Sequence, residues 1–313
     1  MGNRPLVSVV VPTCNRPAYL AEALESLIAQ TFGDFEALVG NDGEPATLWP
    51  ARERFDDPRI MWIDNPVPKG MLRNIVELHG RARGRYVVQL HDDDRWAPEL
   101  LAELVPPLEA DPDVSVAFAD HFVIDEHGDV DPAATKAASK RFGRDSLAPG
   151  LHRPFRRLAL IDGAVPIPCA ALARRDALDL DQFPDRVGPR VDLWIRYQLC
   201  RDGAGAFYVP RRLAFYRAHG GSQTATRTLE NSLADVYCYT QFLEDPRLLE
   251  IPRADLRREL ASSNYGVAAS LLRQGDRAMA RDPLWQSFAF ERRPRTALAL
   301  TASLLPRPIL TRL

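Results

Sequence analysis

The sequence predicts an α/β fold, with a mostly parallel central sheet flanked by helices and a helical C-terminal tail. Three observations predict it. Short apolar, β-branched runs alternate with amphipathic segments through the first part of the chain. Polar clusters follow directly after several of these runs. Past about residue 226 the chain reads as helical segments broken by prolines.

The elements follow in order. Leu6 to Val11 is a continuous apolar run, as a strand buried on both faces requires. Pro17 suits the first turn of a helix striped by Leu20, Leu24, Leu27 and Ile28. Phe35 to Val39 is a second strand, and Ile60 to Ile63 a weaker third. A helix from Gly70 to Ala82 carries Leu72, Ile75, Val76 and His79 on one side and is stopped by Gly84. Tyr86 to Leu90 is a fourth strand. Pro98 opens a helix with Leu100, Leu101, Leu104, Val105 and Leu108 apolar, and Val114 to Phe118 is a fifth strand. Asp125 to Gly150, polar and Ala-rich, reads as a loop. Ile167 to Ala173 is a further strand candidate and Asp192 to Arg201 an amphipathic helix. Phe207 to Val209 and Leu213 to Tyr216 are short strands. Trp96 and Trp194 read as packing residues.

Composition narrows the function. The chain has 313 residues, enough to bury a core without disulfides, and a formal net charge of −2 with both signs mixed along it. That argues against a nucleic-acid partner, which calls for a basic face. The four cysteines, Cys14, Cys169, Cys200 and Cys238, have no zinc spacing, and reduced thiols in a cytoplasmic protein are the simplest account. No signal peptide opens the sequence and no run of about 18 apolar residues occurs, so neither secretion by the usual route nor a membrane span is expected.

In a parallel sheet, ligands bind beyond the carboxyl ends of the strands. Thr13 to Arg16, Asp42, and Asp92 to Asp94 each follow a strand, so the fold would gather them on one edge. Three adjacent carboxylates repel one another, and a divalent cation offsets that; oxygen ligands suit Mg²⁺ or Mn²⁺ better than zinc. The competing reading is a solvated acidic turn before the helix near Pro98. Asp42 before Gly43 also fits an ordinary Asp-Gly turn.

The ordered strings VSVVVPTCNRPAYLAEALESLIAQTF, DFEALVGNDGE, GMLRN and GRYVVQLHDDDRWAPELL resemble the family-two glycosyltransferases of GT-A (Rossmann-like) fold. The likeness continues more loosely through RVDLWIRYQLCRDG and YRAHGGS. It implies a metal-dependent inverting transfer of a sugar from a nucleotide diphosphate, UDP- or dTDP-linked, to an acceptor hydroxyl on a saccharide, lipid-linked glycan or small molecule. It implies a nucleotide-sugar site of Pro12, Thr13, Asn15, Arg16, Asp42, Arg73, Asp92 and Asp93, with Asp42 accepting from the base and Arg73 facing the diphosphate. Asp93, Asp94 and His219 would hold Mn²⁺ or Mg²⁺, with the division of labour within Asp92 to Asp94 open. The family's Asp-Ser-Asp-Asp has His91 at its first position here. Its acidic pair before the LW helix is replaced by Pro189 and Arg190, which leaves Asp192 as the base candidate and Asp185 as the second. On this reading residues 1–125 form the donor half, 126–225 the acceptor half and 226–313 a helical extension.

Rival readings fare worse. A dinucleotide-binding dehydrogenase needs a glycine-rich turn after the first strand, and a P-loop NTPase needs GxxxxGK[ST]; neither occurs. A sugar nucleotidyltransferase lacks its glycine-rich loop here. A sugar-nucleotide binding protein without transferase activity stays open, because of Pro189 and Arg190. The stretch Ala297 to Leu313 reads as packing on the core, with peripheral contact at the inner face of a membrane as the alternative.

Overall fold

A computed structural model describes residues 4–220 and 228–304. The chain divides into two compact units, Met1–Phe183 with Asp192–Ser222, and Pro184–Val191 with Gln223–Leu313.

The first unit opens with β1 (Val7–Thr13), α1 (Pro17–Ile28), β2 (Phe35–Asn41), α2 (Trp49–Arg54), β3 (Ile60–Asp64), α3 (Met71–Arg81) and β4 (Tyr86–Gln89). It continues with β5 (Arg95–Trp96), α4 (Leu100–Ala110), β6 (Val114–Ile124), α5 (Pro132–Arg141) and β7 (Gly150–His152). Helices α6 (Arg156–Leu160) and α7 (Ile167–Ala170), strand β8 (Ala171–Arg174), helix α8 (Val191–Arg201) and strand β9 (Gly205–Arg217) complete it. Among the described residues nine strands make one sheet in the order β3-β2-β1-β4-β8-β6-β9-β5, with β7 paired to β9.

The block β3-β2-β1-β4 is parallel throughout. Strands β1 and β2 are buried along their whole length, which is why their sequences do not alternate. Register sets Thr13 beside Asn41, so Asp42 emerges next to the end of β1, and the Asp42 N–H donates to the Thr13 carbonyl at 2.9 Å. The other half of the sheet mixes directions: β8 runs antiparallel to both β4 and β6, and β9 parallel to β6. Leu20, Leu24 and Leu27 of α1 and Leu100, Leu101, Leu104 and Leu108 of α4 fill the core against the sheet.

Three segments depart from the sequence expectation. Asp125 to Gly150 is not a loop throughout. The Asp125 carboxylate closes a turn by accepting from the N–H groups of His127 and Asp129 at 2.9 and 3.0 Å. Asp131 then caps α5, accepting from the Ala134 N–H at 2.9 Å, with Pro132 in the first turn. The buried residues of α5 are Thr135 and Ser139, so no apolar stripe advertises it. Ile167 to Ala173 is a single helical turn, α7, before a strand that begins only at Ala171. The two short strands near the end of this unit are one, β9, whose pairing with β6 slips around Asp120 where Pro210, Arg211 and Arg212 are exposed. A β-bulge of this kind lets a strand continue through polar residues.

Trp96 and Trp194 are buried, and the Trp96 indole N–H donates to the Cys169 carbonyl at 2.6 Å. Both are packing residues.

The second unit is helical: α9 (Leu229–Glu244), α10 (Arg253–Arg273), α11 (Arg277–Phe290) and α12 (Pro294–Leu304). Thr228 and Asp276 cap α9 and α11 by accepting from Asn231 N–H and Met279 N–H, each at 3.0 Å. Ala268, Ala280, Leu284 and Leu300 form one cluster of its core, and Phe242, Leu256 and Leu260 are also buried. Gly221 and Ser222 of the YRAHGGS string and the end of the tail from Leu305 lie outside the described residues.

Candidate active site

The residues after β1 and β4 meet at the carboxyl edge of the parallel block. Thr13, at the end of β1, donates through its hydroxyl to Asp92 Oδ2 at 2.8 Å. Arg16 places Nη1 2.8 Å from Asp93 Oδ2 and 3.3 Å from Asp92 Oδ1. His219 Nε2 lies 3.1 Å from the same Asp93 oxygen, with its ring against Tyr19. One turn thus collects residues from two distant parts of the chain.

Burial makes this cluster hungry for positive charge. Burial pushes the Asp92 carboxyl up, and the neighbouring Asp93 charge adds to it. Asp94 is fully buried, and the same two causes hold its carboxyl well above the usual range. Asp94 Oδ1 accepts from the Arg217 backbone N–H at 2.9 Å. Its Oδ2 is buried and has no hydrogen-bond partner among the described residues.

Arg217 is a residue that sequence reasoning missed. It is among the most completely buried side chains, and its guanidinium binds main-chain carbonyls at Asp93 (2.8 Å), Asp125 (3.2 Å) and Glu126 (3.1 Å). It also pairs with Glu22 Oε2 at 2.6 Å and stacks over Tyr19 at 4.6 Å. One side chain therefore ties the acidic turn to α1 and to the 125–129 turn. The only signal in the sequence is its place two residues before His219 in the YRAHGGS string.

Asp42 sits on the same rim. The exposed Cys14 thiol, donating to the Asp42 carbonyl at 3.6 Å, is pushed up by partial burial and by the charges of Asp42 and Asp92 together. The Asp42 carboxylate is already engaged: Oδ1 accepts from Asn65 Nδ2 (2.8 Å) and Lys69 N–H (2.7 Å), and Oδ2 from Gly70 N–H (2.8 Å). It thereby clamps the turn that leads into α3, where Arg73 is exposed one turn on. Asn15 stands in the left-handed region at φ 54, and its Oδ1 accepts from Glu44 N–H at 3.0 Å. The contact explains Gly43, because a Cβ there would lie 2.3 Å from the Asn15 oxygen. Pro12 is buried within β1 opposite Gly40.

The base candidates are placed differently. Asp192 lies inside the first turn of α8 and pairs with Arg196 at 3.0 Å, one turn on, rather than with a member of the triplet. Asp185 belongs to the second unit, in the short 3₁₀ segment Asp185–Arg190. Arg190, standing where an acid was sought, is committed to Asp235 of α9 at 2.7 Å.

The donor set fits a divalent cation. Ligand atoms of His91, Asp93 and Asp94 lie within 4.8 Å of one another, and Asp94 is also the residue with the orphaned buried oxygen. His91 enters here as a candidate ligand that sequence reasoning passed over. The Gln89 amide lies 2.5 Å from its Nε2, which leaves Nδ1 as the ring nitrogen for a cation.

A parallel-stranded rim with carboxylates, imidazoles and arginines, on a sheet of this order, fits a GT-A fold. The model of the family described as "Glycosyl transferase family 2" matches residues 8–180, and the chain belongs to that family. A protein of Escherichia coli (strain K12) named for colanic acid biosynthesis glycosyl transfer is 30% identical over 106 residues, 33% of this chain. This chain spans 37% of that relative's length. Among solved structures, S. aureus TarS 1-349 in complex with UDP superposes with a TM-score of 0.65 at 16% identity, covering 97% of this chain and 86% of that one. A Pyrobaculum calidifontis mannosyltransferase in complex with GDP-Man and Mn²⁺ gives 0.60 at 18% identity, covering 96% and 84%. These likenesses establish the fold. No helix among the described residues is long and apolar enough to cross a membrane.

Proposed function

We propose that the chain is a metal-dependent inverting glycosyltransferase that moves a sugar from a UDP- or dTDP-linked donor to an acceptor hydroxyl in glycan, glycoconjugate or natural-product biosynthesis. The observation that carries this reading is Asp94, which has a buried, unpartnered oxygen and lies in a cluster with His91 and Asp93 at the carboxyl edge of the parallel block. The nucleotide and Mn²⁺ bound by the two structural neighbours support it.

On this reading Asp93 and Asp94, with His91 and His219 as imidazole donors, hold Mn²⁺ or Mg²⁺. The bound cation supplies Lewis-acid neutralisation of charge on the departing nucleotide diphosphate. Thr13 braces Asp92, which faces the ribose. Asp42 keeps one Oδ2 lone pair for a base N–H, while its other bonds fix the turn before α3, from which Arg73 faces the diphosphate. Asp192 takes the proton of the acceptor hydroxyl, with Asp185 second, and direct attack from the far face inverts the anomeric carbon. Residues 1–125 serve the donor and 126–225 the acceptor. The free thiols are in keeping with work in the cytoplasm, and the second unit is the candidate for peripheral contact with a membrane.

The test is a thermal-shift screen of UDP, dTDP and GDP with and without Mn²⁺. A ligand at 100 times its Kd adds about 2.7 kcal/mol of stability, so the productive nucleotide raises Tm only when the metal is present. Release of UDP with undiminished rate in excess EDTA would remove the metal from the proposal. A second reading, a sugar-nucleotide binding protein, is favoured by the engagement of Arg190 with Asp235 where the family has acids. Acceptor-stimulated UDP release separates the two.

A further inference from the structure

The backbone on either side of Arg16 is fixed. Asn15 before it is held in the left-handed region by its bond from Glu44, and Pro17 after it opens α1. Arg16 stands at the N-cap position of α1, yet its side chain makes no capping bond. Its guanidinium instead turns back to the acidic turn, where Nη1 lies 2.8 Å from Asp93 Oδ2 and 3.3 Å from Asp92 Oδ1. The Arg16 side chain is 34% exposed, whereas those of Asp92 and Asp93 are 8% and 13% exposed. A partly exposed cationic side chain thus reaches two largely buried carboxylates.

Arg16 and a metal ion would draw on the same carboxylate. Asp93 is shared between Arg16 and the group His91, Asp93 and Asp94, whose ligand atoms lie within 4.8 Å. The buried, unpartnered Asp94 oxygen points independently to a cation there. Guanidinium and a divalent ion competing for one carboxylate repel each other strongly in a buried setting.

We propose that Arg16 is a resident counter-ion of the donor site. It neutralises Asp92 and Asp93 when no donor is bound, gives up Asp93 when a divalent cation arrives, and closes onto the anionic diphosphate that accompanies the metal. The inference rests on the proposed reading of this rim as a nucleoside-diphosphate site. The exchange needs only a change of side-chain rotamers, since Asn15 and Pro17 hold the main chain. No bond is made or broken, and the charge that leaves the carboxylates is replaced by the incoming ion. The empty site is thereby kept from capturing metal strongly without nucleotide.

The signature is a pair of effects with opposite sign. With Arg16→Gln, Mn²⁺ alone binds tighter by about fivefold, the scale of a partly exposed ion pair. UDP at saturating Mn²⁺ binds more weakly by about tenfold, the loss of a charge-assisted contact to phosphate. A loosened rim would weaken both affinities together. Arg16→Lys keeps the charge and holds Mn²⁺ affinity near that of the wild type. The measurements are Mn²⁺ titration of the full chain, read from the spin-resonance signal of free Mn²⁺, and calorimetric titration with UDP. If the wild-type chain binds neither Mn²⁺ nor UDP, the donor-site reading itself has failed, and this inference with it. If the wild type binds both, but Arg16→Gln gains no Mn²⁺ affinity or binds UDP as well as the wild type, the resident counter-ion is refuted and the site reading stands.

Discussion

Asp94 combines full burial, a carboxyl pushed up in pKa, and an oxygen without a partner among the described residues. A group so placed is destabilising unless something positive meets it. Asp94→Asn removes the charge but keeps the shape, so the Arg217 N–H keeps its acceptor. The expected outcome is an unchanged or raised Tm together with turnover lowered by about 10²-fold or more, the scale of losing one electrostatic stabiliser. Steady-state kinetics and a melting curve on the same preparation check both halves. Asp192→Asn is expected to lower turnover by about 10²–10⁴-fold with UDP affinity kept, as loss of a general base requires. A near-normal rate would pass the role to Asp185. Thr13, Arg16, Asp42 and the triplet were legible in the sequence because each sits at or just past the end of a strand, and strand ends share an edge. Arg217 and Glu22 were not, because their ion pair spans 195 positions and no local pattern encodes it.

At the scale of elements, the parallel block was readable from its apolar runs, since strands buried on both faces leave no other signal. Helix α5 was not, because its inward face is polar: Ser139 donates to Asp120 Oδ2 at 2.5 Å and Thr135 Oγ1 accepts from Val123 N–H at 2.9 Å. Gly84 looked like a helix stop, but α3 ends at Arg81 and the glycine answers a packing demand instead. A Cβ there would lie 2.5 Å from Ser8 N and 2.7 Å from Val7 C, both main-chain atoms that cannot yield. Gly84→Ala is therefore expected to destabilise the chain by about 1–3 kcal/mol through overpacking, measured by urea unfolding. The site lies at the opposite ends of these strands, so metal affinity of the surviving folded fraction should hold.

For the whole molecule, two buried histidines tie stability to pH. Burial lowers His79 to about 4. Burial, then the Arg144 charge, lowers His121 to about 4. In the unfolded chain each takes up a proton near its ordinary value of 6.5, so between about pH 6.5 and 4 the unfolded state binds more protons. Their contribution is fully present above pH 6.5 and is lost as pH falls toward 4. For His79 it amounts to about 3–4 kcal/mol, at about 1.4 kcal/mol per pKa unit. Denaturation curves at pH 7 and pH 5 should show a smaller loss in His79→Gln than in the wild type. An equal loss in both would mean that this imidazole is not driving the acid sensitivity.

Strand β9 pairs with β7 over Ala206 to Tyr208, slips beside Asp120, and then delivers Arg217 to the acidic turn. Side chains along a strand alternate between faces, so everything past the slip behaves like a keyed shaft. An extra residue at Pro210 to Arg212 can be swallowed by the existing irregularity. One inserted between Leu213 and Tyr216 would turn the guanidinium to the other side of the sheet and release Glu22, the 125–129 turn and the Asp93 carbonyl at once. Natural length variation in this protein's lineage should therefore collect upstream of Leu213, and single-residue insertions on the two sides of it should differ sharply in Mn²⁺ capture.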